Sequence, residues 1–172
     1  FIKSITDTLF NKTEYDINSS NGLINSLKDS LGNTINYTYN DKEQITKIEK
    51  EGKKVNYFYN TQNLLNKITS GNKDYNFTYD DFLKTKSIKI GDNITLITND
   101  YEDNNGKLIK STYGNGDVIE FSYDNFERIK KIKKGNINYN YKYDNFNNIA
   151  KIEERDYLDY LLHTYIYDYD LS

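Results

Sequence analysis

The residues best equipped for catalysis are one histidine, His163, and a run of carboxylates at Glu153, Glu154, Asp156 and Asp159. A pair of carboxylates can divide acid and base duty across a scissile bond. A histidine needs a nucleophile or further metal ligands beside it. Neither condition is met by spacing. Arg155 interrupts the acidic run, as in a solvated turn, and His163 falls where Ile35, Val55, Tyr75, Ile119 and Tyr139 fall in a repeated segment. A ring packed in a repeat slot is the expectation for His163. No catalytic residue is assigned, and the chain reads as a non-enzyme.

Oxygen-rich loops can hold calcium, and Asp103-Asn104-Asn105-Gly106 has that composition. Tyr101 stands two places before Asp103, where an EF-hand needs an acid, so the motif fails. Asx turns, whose side chains cap nearby amides, explain the recurring Asp and Asn. No metal-binding or cofactor-binding residue is assigned, and no cofactor is expected. Rows of tyrosine can stack on sugars or bases. Here they alternate onto the same face as Ile and Val, so packing comes first and carbohydrate binding second.

The composition narrows the classes further. The 172 residues are 36% hydrophobic but 15% aromatic, with 18 Tyr and 8 Phe. Mean hydropathy is -0.89, yet disordered chains are usually poor in aromatics, and a net charge of -3 brings little self-repulsion. An isoelectric point near 5.3 gives no global field for nucleic acid. The lysines at 130, 131, 133 and 134 read as a solvated strand face. With no cysteine there is no disulfide or thiolate chemistry, and the compartment stays open. No apolar run is long enough to span a bilayer, and no signal-peptide pattern opens the chain. The opening at Phe1 reads as mid-sequence, so an excised fragment is expected.

These residues sit on an internal repeat. Segments ending in a second aromatic align: Ile35-Asn36-Tyr37-Thr38-Tyr39, Val55-Asn56-Tyr57-Phe58-Tyr59, Tyr75-Asn76-Phe77-Thr78-Tyr79, Ile119-Glu120-Phe121-Ser122-Tyr123, Tyr139-Asn140-Tyr141-Lys142-Tyr143 and His163-Thr164-Tyr165-Ile166-Tyr167. Degenerate copies stand at Tyr15 and Tyr101. Successive last tyrosines are 24, 20, 20, 22, 22, 20 and 24 residues apart. Alternation with period two predicts half-buried strands. Asn40, Asn60, Asp80, Asp124, Asp144 and Asp168 follow the tyrosine and should face solvent at a turn, while Tyr57 and Tyr59 should be buried. Aliphatics come six and nine places after the tyrosine, as in Ile45 and Ile48 or Ile149 and Ile152; Thr85 takes the first place in one copy. A spacing of three predicts a bulge. Gly32, Gly52, Gly71, Gly91, Gly116 and Gly135 mark the opposite turn. About fourteen to sixteen strands should result, with one longer hairpin or a helical turn within Glu153 to Leu162. Nothing marks a domain boundary within residues 1–172.

The pattern resembles the YD repeat of the Rhs family, found also in teneurins and in the B and C components of insecticidal toxin complexes. Tyr123-Asp124 through Ile129, Tyr143-Asp144 through Ile149, and Gly106-Lys107-Leu108 carry it. The resemblance implies an all-β fold of tandem hairpins, about twenty residues each, in a long, curled antiparallel sheet that forms a hollow shell. It implies a structural wall that encloses and protects a toxin or other cargo, in a secreted or cell-surface bacterial protein. The partners would be the remainder of the shell and the enclosed cargo. Family shells are far longer, and the proline-bearing segment that closes bacterial shells has no counterpart in a chain without proline. A wall fragment is therefore expected, with neither nucleic acid nor a membrane span. The rival reading is a surface adhesion or carbohydrate-binding module. Open strand edges at Phe1 to Ile5 and at Tyr167 to Ser172 should favour edge-to-edge self-association.

Overall fold

A computed structural model describes residues Phe1–Asp170. The chain forms two compact units: Phe1–Phe77 with Ile90–Asp92, and Thr78–Lys89 with the chain from Asn93 onward. The first holds β1 (Ser4–Thr6), β2 (Lys12–Ile17), β3 (Ile24–Lys28), β4 (Thr34–Tyr39), β5 (Ile45–Lys50), β6 (Lys53–Tyr59), β7 (Leu65–Ser70) and most of β8 (Lys73–Tyr79). The second holds most of β9 (Thr85–Ile90), then β10 (Ile94–Tyr101), β11 (Leu108–Tyr113), β12 (Val118–Tyr123), β13 (Ile129–Lys134), β14 (Ile137–Tyr143), β15 (Ile149–Arg155) and β16 (Leu161–Ile166). Within each unit strand order is chain order, an antiparallel meander of hairpins, as the period-two alternation predicts. No helix occurs among the described residues. The stretch from Glu153 to Leu162 is a longer hairpin, not a helical turn. Leu171 and Ser172, at the predicted open edge, lie outside the described residues.

The spacing of three resolves into a bulge beside Tyr39, Tyr59, Tyr123 and Tyr143. Thr38 faces Lys47 but Tyr39 faces Ile45, so Thr46 is the extra residue. Asn66, Lys130 and Ala150 play the same part beside Tyr59, Tyr123 and Tyr143. Without the extra residue, one of the two aliphatics would point to the wrong face. With it, Ile45 and Ile48 both share a face with Tyr37 and Tyr39.

The turn after each tyrosine is built on the Asx side chain. Asn60 Oδ1 accepts from the amides of Gln62 at 3.0 Å and Leu64 at 2.9 Å. Asp80, Asp124 and Asp144 do the same two and four residues on. Asp7, Asp29 and Asp156 build this turn at the other hairpin ends. Gly32 therefore closes an aspartate turn, and Gly116 holds the same place between Tyr113 and Asp117, where φ is +86° and +89°. Neither belongs with the two-residue turns of Gly52, Gly71 and Gly135, where the sequence grouped them. Only the acceptor oxygen is needed at Asn60. Asn60→Asp is expected to change unfolding free energy by less than about 0.5 kcal/mol, while Asn60→Ala costs about 1 kcal/mol. Urea titration of the two variants checks this.

The facing assignment needs correction. Among the described residues no hydrophobic side chain is fully buried. Tyr57 and Tyr59 are half-buried, and so is Asn60, which was expected to face solvent. Within each unit the strands form one layer, which cannot enclose its own rings, so cover comes from lateral neighbours. Asn60 is shielded because its side chain folds back under the turn.

Candidate functional site

The most regular chemistry among the described residues is a hydrogen bond from a strand-end tyrosine to the hairpin before it, made by Tyr39, Tyr59, Tyr101, Tyr123 and Tyr143. In the first unit Tyr39 Oη donates to the Ile24 carbonyl and Tyr59 Oη to the Ile45 carbonyl, both at 2.8 Å. In the second, Tyr101 reaches Thr85 at 2.9 Å, Tyr123 reaches Leu108 at 2.8 Å, and Tyr143 reaches Ile129 at 2.7 Å. Ile24, Ile45, Leu108 and Ile129 each stand opposite the end of the preceding strand, at its bulge. Burial raises the phenol pKa of Tyr39, Tyr59, Tyr123 and Tyr143 above its usual value, which keeps the donor proton in place.

This bond corrects the alignment of the end copies. Tyr169, not Tyr167, reaches back to the Ile149 carbonyl, at 3.0 Å. Ile152 faces Tyr165 just as Ile48 faces Val55 and Ile132 faces Tyr139. His163 thus lies two residues short of the slot assigned to it. It stands opposite Glu154, 69% exposed, with Nδ1 3.6 Å from the Glu154 carboxylate, and is not a packed ring. The Asp156 turn lengthens this hairpin and brings a bulge of its own, which shifts the register. In the first copy Ile17 faces Ile24 across the bulge, so Ile17 holds the tyrosine place and Tyr15 sits two residues early.

Cations over the rings were missed in the sequence. Lys84 lies over the Tyr101 ring at 5.5 Å, Lys107 over Tyr123 at 5.1 Å, and the Arg128 guanidinium over Tyr143 at 4.1 Å. Each also ties its own turn to the next. Lys84 Nζ donates to the Gly106 carbonyl, Lys107 pairs with Glu127 at 3.3 Å, and Arg128 Nη1 donates to Asn147 Oδ1 at 2.8 Å. In the first unit Gln44 Nε2 donates to the Asn63 carbonyl at 3.0 Å, and Lys42 Nζ donates to Asn63 Oδ1 beside it. A basic residue five places after Tyr79 and Tyr123 was the available signal.

The acidic run is not gathered into a catalytic pair. Glu153 and Glu154 are adjacent on β15 and so point to opposite faces. Asp156 spends its Oδ1 on the amides of Leu158 and Tyr160, and Asp159 lies 3.6 Å from Arg155. The Glu153 side chain is 9% exposed among Lys151 at 2.6 Å, Arg155 at 3.0 Å and Lys142 at 3.4 Å. Hydrogen bonds from Lys151, then Arg155, hold its pKa down at about 2, against a usual 4.5. A carboxylate depressed on folding adds stability above its unfolded pKa and loses it as pH falls through the folded value. The stability gap between the wild type and Glu153→Gln should therefore be constant above about pH 5 and close between about 4.5 and 2. Urea midpoints across that range test this; a gap that persists undiminished at pH 2 contradicts it.

In the loop of Asp103 and Asn104, Asn105 Oδ1 accepts from the Lys107 amide and Asn105 Nδ2 donates to Glu102. Among the described residues no three His, Asp or Glu side chains are gathered as a metal ion requires.

Neither a family model nor a curated protein matches the chain. Solved structures do. The crystal structures of TcdB2-TccC3-TEV and of TcdB2-TccC3-Cdc42 superpose over 90% of this chain, with TM-scores of 0.70 and 0.69, at 14% identity. TcdB2-TccC3 without its hypervariable C-terminal region matches over the same share, with a TM-score of 0.55 and 16% identity. The chain spans about a tenth of the length of these proteins, covering 9% to 10% of each. At such identity the likeness is one of fold: this chain folds as an antiparallel hairpin array also does within TcdB2-TccC3.

Proposed function

We propose that the chain is a wall segment of a Rhs-type β-shell, a non-enzymatic structure that encloses a toxin or other cargo in a secreted or cell-surface bacterial protein. The observation that carries this reading is the tyrosine bond repeated from hairpin to hairpin. Within each unit it joins hairpins that share no enclosed core, which is what a wall requires and a catalytic cleft does not. The fold likeness to TcdB2-TccC3 and the tyrosine-aspartate repeat support the same reading. Glu153 also argues against acid catalysis: held ionised to about pH 2, it has no proton to give near neutrality. The wall's partners are then further shell segments, joined by strand pairing at β1 and β16, whose residues are exposed throughout. In the protein carrying this array, a domain encoded beyond it should resist proteinase K while the wall is intact. It should be cleaved once Tyr59→Ala and Tyr143→Ala are introduced. Cleavage at the same rate in both overturns the proposal.

A surface carbohydrate-binding module is the second reading, favoured by the solvent-accessible rings of Tyr165, Tyr167 and Tyr169. Glycan-array binding lost on Tyr165→Ala is its test.

A further inference from the structure

The sheet face opposite the tyrosines differs between the units. In β2 to β8 it mixes signs: Lys12 pairs with Glu14, Lys47 and Lys54 with Glu49, and Lys67 with Asp74. In the second unit the balance shifts. Residues facing each other across antiparallel strands share a face, and alternate residues repeat it. Lys131 faces Asn140, which faces Glu153; Lys133 faces Asn138, which faces Arg155; Lys142 faces Lys151. Lys133 also faces Glu120, and Glu120 faces Lys110. The face thus carries Lys110, Lys131, Lys133, Lys142, Lys151 and Arg155 on its strands, against the carboxylates of Asp100, Glu120 and Glu153.

The carboxylates are already shared. Glu153 serves Lys142, Lys151 and Arg155. Glu120 serves Lys133 at 2.8 Å, with Lys110 and Lys131 acting from farther away. Lys142 and Lys151 stand directly opposite, an arrangement that costs stability in a sheet. The chain as a whole is acidic, at -3. A cationic face on an acidic protein is therefore a local feature. Lys110, Lys131 and Lys151 hold matching places beside successive bulges, two strands apart, or about 9.6 Å.

We infer that this face of β11 to β15 docks an acidic polypeptide segment, one laid across the strands with carboxylates over the lysine row. Charge complementarity selects an anion. The placement of the rings selects polypeptide over single-stranded nucleic acid, because base binding pairs cations with stacking aromatics on one surface. Here Tyr139, Tyr141 and Tyr143 lie on the other face. The docking role is independent of the shell reading, since it needs only the second unit.

The test is fluorescence anisotropy of the purified chain with a labelled glutamate-rich peptide at low salt. Single-stranded DNA of equal charge serves as the second probe. The doubly substituted Lys131→Gln, Lys133→Gln chain should bind the peptide about tenfold more weakly, and binding should fall as salt rises. Lys47→Gln with Lys67→Gln, on the first unit, should leave affinity unchanged. Circular dichroism confirms that both variants keep their strands. Equal losses in the two variants, no peptide binding at low salt, or tighter binding of the DNA overturns the inference.

Discussion

Tyr143→Ala is expected to destabilise the second unit by about 3 kcal/mol, toward the low end of what aromatic truncation costs in enclosed cores. Three losses combine. The half-buried ring leaves the face it shares with Ile149 and Ile152. The 2.7 Å bond to the Ile129 carbonyl disappears, which joins this hairpin to the one before. Arg128 loses the ring it covers at 4.1 Å. Tyr143→Phe isolates the second of these and should cost about 1 kcal/mol. Both are measured by urea unfolding followed in the far ultraviolet. If the phenylalanine variant were as damaging as alanine, the hydroxyl would dominate; if it were silent, the bond would have no place in holding hairpins together.

Gly114→Ala is the other large effect, and its cause is space. A Cβ built on Gly114 would lie 2.0 Å from the Thr95 carbonyl oxygen, and the obstacle is backbone that cannot swing aside. The Gly114 amide also donates to the Leu96 carbonyl at 2.9 Å, so retreat breaks the bond that ties the residue after β11 to β10. A cost of about 3 kcal/mol is expected, a fall of roughly 10–20 °C in the melting temperature of a unit this size. Gly116, two residues on, meets nothing within 4 Å but has φ +89°, so Gly116→Asn should cost far less. Thermal melts of the two variants should separate clearly. Similar melting temperatures would show that β10 can shift to accept the methyl group.

Why some of this was legible in the sequence and some was not follows from what period two encodes. Alternation fixes the face of each residue, so the strands, and the bulge implied by Ile45 and Ile48, could be read directly. It does not fix position along a face. A shift of two keeps every side chain on its side, which is why Tyr167 could pass for Tyr169 and Tyr15 for the place of Ile17. The hydroxyl bond to Ile149 breaks that degeneracy, and it joins residues twenty apart. Turn chemistry was half legible: the Asx cap was visible, but positive φ at Glu43, Asn63, Leu83 and Glu127 shows that the fourth place does not require glycine. That hid the kinship of Gly32 and Gly116 with these turns. The basic residues Lys84 and Arg128 were visible in the sequence, but the rings they cover were not, because these contacts join residues from different hairpins whose relative height depends on the bulge.

The bulge has one more consequence, for how such an array changes over generations. Each tyrosine measures its position only against the hairpin before it, so every copy inherits its frame from its neighbour. Gain or loss of a single residue within a strand would turn all that follows inside out, unless a nearby bulge absorbed it. Gain or loss of a whole period would leave the frame intact. The chain should therefore lengthen and shorten in steps of one hairpin, as a text edited by whole lines stays readable where one edited by letters does not. The longer hairpin around Asp156 is the exception in which a bulge of its own absorbs the change and keeps Tyr165 and Tyr169 on the proper face.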